Sequence, residues 1–220
     1  MEPKLKRRAK VPQIIDAALK VFGEKGYYDA TISEIARKAK VSEATVYEYF
    51  GSKEGLLFAI PEEITRNALG LLETLLPYVR GAENRLRAQV HGYVSLYRDN
   101  PRYSSLVLLN LKHNRNFMDT EGYRLVQRAA RLMLEVIREG IESGEFRPDL
   151  DPYLARSMVL GTIEHVFFRW HLTDRREELQ DFTDSLMEVL MRGMRREPEP
   201  AAVQLNIALT PDGPRLQGQP

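Results

Sequence analysis

Residues 31–50 read TISEIARKAKVSEATVYEYF and contain two signals for the start of a helix. Thr31 is followed three residues later by Glu34, a capping box that predicts the start of a short helix. Ser42 precedes a second helical pattern and predicts another helix N-terminus. Two short helices joined by a turn of about three to four residues are typical of a helix-turn-helix. The stretch therefore predicts a DNA-binding motif.

The second short helix of this motif is predicted to read DNA. Val41, Val46 and Phe50 fall on one side and are expected to pack inward. The opposite side carries hydroxyls and small groups, which suit phosphates, base edges and thymine methyl groups in a major groove. The residues predicted to point outward are Glu43, Ala44, Thr45, Tyr47 and Tyr49.

Two tyrosines and a lysine in this region are open to more than one interpretation. Tyr47 and Tyr49 are also compatible with partial packing against the neighbouring helices. Lys53 opens the next predicted helix, so its ammonium and the amides of that helix N-terminus can hold one phosphate together.

Apolar residues recur at helical spacing along nearly the whole chain, which predicts an all-α fold of about nine helices. Gly26 is expected to end the first helix, and Asp151-Pro152 to begin the eighth. The last helix is predicted over residues 177–196. Five prolines in residues 197–220 favour a disordered tail. The alternative for the tail is a strand, because apolar residues alternate at Val203, Leu205, Ile207 and Leu209.

Composition excludes several classes of protein. The 220 residues include no cysteine, which rules out disulfides and thiolate chemistry. Lys and Arg number 32 against 31 Asp and Glu, yet residues 1–60 hold 11 basic and 8 acidic side chains. The basic excess therefore lies beside the predicted motif, as phosphate contact requires. With no membrane-spanning or secretory pattern, we expect a cytoplasmic protein that does not contact membranes.

The segment 8–68 resembles the DNA-binding domain of TetR/AcrR-family repressors. The resemblance rests on Ala-x-x-x-Phe from Ala18, on Thr-x-x-x-Ile-Ala from Thr31, and on Val-Ser-x-x-Thr-Val-Tyr-x-Tyr-Phe-x-Ser-Lys-Glu-x-Leu from Val41. It implies phosphate contacts for Thr31, Tyr47, Tyr49 and Lys53 and base contacts for Glu43, Ala44 and Thr45. Ser33 and Ser42 complete the candidate DNA-binding set.

One departure from that family concerns the turn of the motif. The family usually has glycine where this chain has Lys40. Either the turn differs, or Lys40 takes a left-handed conformation at a cost of roughly 1 kcal/mol.

Residues 69–196 are predicted to form a ligand-binding and dimerisation domain. Paired half-sites on DNA require a symmetric dimer, and apolar stripes on the last two helices suit its interface. The candidate interface residues are Met158, Gly161, His165, Phe168, Phe182, Leu186, Leu190 (or Val189) and Gly193. The alternative is that these faces only close the core of the monomer.

The family resemblance also implies a ligand pocket in the bundle. Its candidate lining is Tyr93, Tyr97, Asn110, His113, Phe117 and Tyr123, each of which has packing in the core as its alternative role. Residues 108–113, 139–147 and 161–170 are similar to a branch that controls fatty-acid degradation and responds to acyl-CoA. Such a ligand needs basic groups at the pocket mouth, for which Lys112 or Arg115 is suitable.

The sequence thus predicts a dimeric repressor that is released from double-stranded palindromic operator DNA by a small hydrophobic effector, with acyl-CoA as the candidate. No cofactor is expected, and the four histidines lack a metal-binding spacing. The alternatives are a helical enzyme, for which no catalytic motif is present, and a helical adaptor that does not bind DNA.

Overall fold

The computed structural model describes residues 2–173, 182–196, 206–210 and 213–217, with side chains for residues 10–173 and 182–196. Within these residues there are nine α-helices. They are α1 (Glu2–Asp29), α2 (Ile32–Lys38), α3 (Glu43–Phe50), α4 (Lys53–Leu75), α5 (Ala82–Asp99), α6 (Pro101–Leu106), α7 (Glu121–Glu142), α8 (Pro152–Leu172) and α9 (Phe182–Met194). The prediction of an all-α body with about nine helices is confirmed.

Three short segments of other helix types connect these helices. Leu76–Tyr78 and Arg115–Asp119 are 3-10 helices, and Val107–Leu111 is a π-helix. The start predicted for the last helix, residue 177, lies outside the described residues, and the described part of that helix begins at Phe182.

The tail contains a two-stranded antiparallel hairpin, so the prediction of disorder over 197–220 is corrected for these strands. Strand β1 (Asn206–Thr210) pairs with β2 (Gly213–Gln217), and Ile207 lies opposite Leu216. Ile207 and Leu209, two of the alternating apolar residues that favoured a strand, lie in β1 and pair with residues of β2. Val203 and Leu205 lie outside the described residues.

Helices α1, α2 and α3 form a small core at the N-terminal end. Ile14 and Ala18 of α1, Ile35 of α2 and Val46 of α3 are all at most 1% exposed. Gly26 adopts φ 80° and ψ 164°, which interrupts α1 at the position predicted for its end. This core holds α3 against α2 and α4 and leaves one side of α3 open.

Helix α4 continues from this small core into the larger bundle. Leu56 and Ile60 in its first half are fully buried, and Leu69 in its second half is 3% exposed. Pro61 lies inside the helix without ending it. A single helix therefore contributes to the N-terminal core and to the bundle.

The loop after α7 caps the N-terminus of α5. The Glu145 carboxylate accepts hydrogen bonds from the backbone N–H groups of Ala82 (2.9 Å) and Glu83 (3.1 Å), and the first of these lowers the pKa of Glu145. Phe146 is fully buried against Gly140. Arg195, beyond α9, donates to both oxygens of Glu83.

We predict that Gly140→Ala destabilises the protein by about 1–3 kcal/mol, because the added methyl group would collide with the Phe146 ring and stand 2.9 Å from Ala82 Cβ. Gly70→Ala in α4 is the matched control, since no atom lies within 4 Å of its added methyl group. The control should stabilise by about 0.4–1 kcal/mol. Urea unfolding at one fixed protein concentration checks both, and a Gly140→Ala protein as stable as the parent contradicts the packing argument.

Candidate operator-binding surface and ligand cavity

Both helices of the predicted motif begin with the caps expected from the sequence. Thr31 Oγ1 accepts from the Glu34 N–H (3.3 Å), and Glu34 Oε2 accepts from the Thr31 N–H (3.2 Å). Ser42 Oγ accepts from the Thr45 N–H (3.1 Å). The capping box and the second N-cap are therefore confirmed.

Helix α3 presents one side to the core and one side outward. Val46 is 1% exposed, and Val41 and Phe50 pack half-buried against the core, as predicted. Tyr47 is 49% exposed. Four further candidates for DNA contact are exposed: Thr31, Ser33, Glu43 and Ala44. An open polar face on α3 is the geometry that major-groove binding requires.

Three of the remaining candidates are engaged within the protein. Thr45 is half-buried, and its hydroxyl lies 2.9 Å from that of Ser42. Tyr49 is half-buried, with its ring 6.2 Å from the ring of Phe50. The structure therefore supports the packing role considered for Tyr49. The Tyr47 side chain is exposed to solvent.

Lys53 has a structural role that the sequence did not indicate. Its ammonium donates to the backbone carbonyls of Tyr28 (3.0 Å) and Ala30 (2.7 Å), and it lies 4.7 Å from the centre of the Tyr27 ring. Carbonyls at a helix C-terminus lack intrahelical donors, which explains why they attract a cation here. Lys53 thus joins the end of α1 to the start of α4, and its contact with phosphate stays a prediction.

Lys40 takes the left-handed conformation that was one of its two predicted alternatives. Its φ is 52°, and among the described residues it is the one non-glycine residue with positive φ. Val41 N–H then donates to the Ala36 carbonyl at 3.0 Å, which turns the chain into α3. The turn of the motif therefore keeps its geometry at the cost of backbone strain.

A cavity of about 330 Å³ lies inside the bundle between α4, α5, α7, α8 and the segment 107–118. Its walls are mostly apolar. Four of the predicted ligand contacts line it: Tyr93, Tyr97, Phe117 and Tyr123. The sequence did not predict a further set of lining residues, which includes Thr65, Leu72, Gln89, Tyr103, Leu111, Asn114, Met133 and Leu160.

The predictions for Asn110 and His113 are wrong, because neither residue lines the cavity and His113 is exposed. The sequence pattern assumed α-helical spacing through this segment. Val107–Leu111 is instead a π-helix, whose wider turn shifts which side chains face inward. Leu111 and Lys112 line the cavity, so of the two basic groups suggested for its mouth Lys112 is in place and Arg115 is not.

A chain of polar contacts crosses the cavity wall from α5 to α8. The Tyr93 hydroxyl donates to Glu164 Oε1 (3.0 Å) and also lies 3.1 Å from the Tyr97 hydroxyl. Lys112 forms an ion pair with the same Glu164. Burial raises the pKa of Tyr93 well above its ordinary value and raises that of Tyr103 to about 12. These phenols are therefore neutral hydrogen-bonding groups at physiological pH.

The predicted dimer surface divides between the two helices. On α8, Met158 is 55% exposed and Phe168 is 37% exposed, and Gly161 and His165 are open as well. Leu154 extends this stripe at 60% exposure. Four apolar or small residues and one histidine on one helix side are thus available to a second copy of the chain.

On α9 the prediction is partly wrong. Leu186 and Leu190 are 8% and 6% exposed and belong to the core of the monomer, because this side of α9 faces α5. Phe182 is half-buried, and Gly193 is exposed. Val189, considered in place of Leu190, is 71% exposed, so Val189 and Gly193 are the candidates on α9 that remain available for a partner.

A metal site and a membrane-spanning helix are both absent from the described residues. They contain no group of three or more His, Asp or Glu side chains placed to hold a metal ion. None of their helices is long and apolar enough to cross a membrane.

A capped helix-turn-helix with an open α3, joined through α4 to a bundle that encloses an apolar cavity, defines a ligand-responsive DNA-binding regulator. Comparison with family models agrees. The model described as bacterial regulatory proteins, tetR family, matches residues 14–60, and that described as YsiA-like protein, C-terminal region, matches residues 74–193. The chain belongs to the TetR family of bacterial regulatory proteins, and its relatives are transcriptional regulators, not enzymes.

Three similar proteins give more detail. The fatty acid metabolism regulator protein of Bacillus subtilis is 29% identical over 86% of this chain and 97% of its own length. The HTH-type transcriptional regulator HbdR of an Aromatoleum species is 30% identical over 74% of this chain and 71% of its own. A crystal structure of FadR from Bacillus subtilis in complex with stearoyl-CoA has a TM-score of 0.76 at 29% identity, covering 82% of this chain and 97% of that one.

We predict that Lys40→Gly stabilises the protein by about 1 kcal/mol, because glycine adopts φ 52° without steric cost. Arg37→Gly, in the last turn of α2, is the matched control and should destabilise by about 1 kcal/mol. Thermal unfolding followed by circular dichroism checks both. A loss of stability in both variants would mean that Lys40 is not strained.

Proposed function

We propose that the protein is a dimeric repressor whose effector is a long-chain acyl-CoA, and that it regulates fatty-acid metabolism in the cytoplasm. Residues 8–68 act as the DNA-binding domain, and residues 69–196 bind the effector and dimerise. The observation that carries this proposal is the apolar cavity with Lys112 in its wall. It is supported by the similarity to a protein that has been crystallised with stearoyl-CoA.

The cavity has the chemistry that an acyl-CoA needs. Leucines, two methionines and the rings of Phe117 and Tyr123 offer an apolar wall to a hydrocarbon chain. The Lys112 side chain is 35% exposed and is paired with Glu164. Phosphate groups of CoA compete with this carboxylate for the ammonium, since both are anionic acceptors. Effector binding therefore exchanges the Lys112–Glu164 pair for a contact with the ligand.

The coupling between cavity and DNA passes through the first half of α4. Asn114 lines the cavity and donates to Glu54 Oε1 at 3.3 Å, one residue after Lys53. The Phe117 ring lies 5.8 Å from that of Phe58. A ligand that displaces Asn114 or Phe117 thus acts directly on the helix that carries Lys53. Useful switching needs a preference of roughly 1–3 kcal/mol for the state that does not bind DNA.

The exposed stripe on α8 supplies the dimer contact in this proposal. Met158, Phe168 and Gly161 lie open on one side of the helix, and Val189 is open on α9. A twofold axis along this surface would present two α3 helices to successive major grooves of a palindromic operator. A change in their spacing would then release the DNA.

We predict that Tyr47→Phe weakens binding to operator and to unrelated DNA by a similar factor, about 1 kcal/mol per protomer, because a hydroxyl on phosphate carries no sequence information. Tyr78→Phe is the matched control, since Tyr78 is 85% exposed in the turn after α4. Fluorescence anisotropy with labelled duplexes measures both affinities. Unchanged affinity in Tyr47→Phe would remove this residue from the DNA-binding surface.

We predict that palmitoyl-CoA releases the protein from its operator, whereas CoA alone does not. Lys112→Gln should raise the palmitoyl-CoA concentration needed for release by about tenfold, which corresponds to about 1.4 kcal/mol. Arg115→Gln is the control, because Arg115 lies close by in sequence but outside the cavity wall. The operator is first obtained by selection from randomised palindromes. Retention on the operator at saturating palmitoyl-CoA would contradict the acyl-CoA assignment.

A further inference from the structure

Gln89 on α5 is a buried amide without a partner. It is 3% exposed, it lines the cavity, and neither its Oε1 nor its Nε2 has a hydrogen-bond partner among the described residues. A buried polar group left unpaired destabilises the folded protein. Most buried polar groups in proteins are paired, so an exception in a cavity wall points to a group that is supplied from outside the chain.

The other polar side chains of the cavity differ from Gln89 in this respect. Tyr93 is bonded to Glu164 and Tyr97, and Lys112 is paired with Glu164. Two more pairs lie in the wall, Thr65 with Tyr103 at 3.3 Å and Asn114 with Glu54 at 3.3 Å. Among the described residues that line the cavity, Gln89 is the one whose buried side-chain donor and acceptor both lack a partner.

Gln89 and Lys112 lie on different elements of the cavity wall. Gln89 lies on α5, one turn before Tyr93, and Lys112 lies in the segment 107–118. We name the wall around these two residues the Gln89 end and the Lys112 end.

Exposure distinguishes the two ends. Met118, beside Phe117, is 55% exposed, and the Lys112 side chain is 35% exposed. Met133, which lines the cavity on α7, is 4% exposed, and Gln89 is buried. A ligand whose charged head lies at Lys112 would therefore extend its hydrocarbon chain towards Gln89.

We infer that Gln89 forms a hydrogen-bonding subsite for an oxygen carried on the hydrocarbon chain, so that the effector is an oxygenated acyl-CoA, with a hydroxyl or keto group, in preference to a plain saturated one. This inference rests on the proposed function, because it assumes that an acyl-CoA occupies the cavity. A hydroxyl can donate to Oε1 and accept from Nε2, whereas a plain methylene chain leaves both atoms unpaired. Specificity built on a buried hydrogen-bonding group is strong for this reason.

The test compares the affinities of the full-length protein for palmitoyl-CoA and for analogues with one hydroxyl near the thioester, in mid-chain or at the chain end. Isothermal titration calorimetry gives each Kd. We expect at least one hydroxylated analogue to bind about tenfold more tightly than palmitoyl-CoA. In Gln89→Leu this preference should disappear, through weaker binding of the analogue and tighter binding of palmitoyl-CoA. The unliganded variant should also melt at a higher temperature, because an unpaired amide has been removed.

Met133→Leu is the matched control, since it changes an apolar side chain of the cavity wall and should alter both ligands by the same factor. The inference is overturned if the wild-type protein binds all the ligands equally, or if its preference survives in Gln89→Leu. Equal weakening of palmitoyl-CoA and analogue in Gln89→Leu would also overturn it, since Gln89 would then contact a part common to both ligands.

The two proposals fail in different ways. If no acyl-CoA binds the wild-type protein or releases it from its operator, the proposed function fails and the subsite fails with it. If palmitoyl-CoA binds and releases the operator but no hydroxylated analogue is preferred, only the Gln89 subsite fails.

Discussion

Helix α4 is buried in two cores at once, and this constraint links the two parts of the molecule. Leu56 and Ile60 are fully enclosed beside α1 to α3, and Leu69 is enclosed in the bundle. In the proposed function, α4 would transmit a displacement because it is one helix of 23 residues, with Pro61 as the one residue that has no backbone N–H to donate. Close-packed interiors do not absorb small shifts, so a change in the cavity wall would move the beginning of α4. The Lys53 contacts would then carry that movement to the end of α1.

The opposite side of the cavity is held in place. Glu145 caps α5, and its lowered pKa reflects a carboxylate that is stabilised by backbone N–H groups. Glu83, next in α5, has its pKa lowered chiefly by Arg195, which anchors the end of α9. These contacts hold α5 in place on one side of the cavity. On another side, the segment 107–119 contacts α4 through Asn114 and Phe117. In the proposed function, the polar face of α5 would orient a ligand, while Asn114 and Phe117 would respond to its presence.

The sequence predicted local features well and spatial ones less well. The caps at Thr31 and Ser42 are local hydrogen bonds, so residue spacing alone predicts them. Asn110 was misplaced because a π-helix changes the side-chain period, and no sequence signal marked that change. The sequence could not assign Leu186 to the monomer core or to the dimer interface. A helix face buried in either place has the same apolar pattern. For Gln89 the sequence does contain a signal. Gln89 lies three residues after Leu86 and four before Tyr93, so its spacing places a polar side chain on the apolar face of α5.

The contacts of α4 also imply that DNA and effector act on each other reciprocally. Asn114 meets Glu54 on the cavity side, and Lys53, the preceding residue, meets the carbonyls of α1 on the DNA side. If the effector lowers operator affinity through this path, operator DNA must lower effector affinity by the same factor. The strain at Lys40 does not enter this balance, because a change in the spacing of the two α3 helices leaves the turn of each motif as it is. The strain lowers the stability of the folded chain and is the same in the state that binds DNA and in the state that does not.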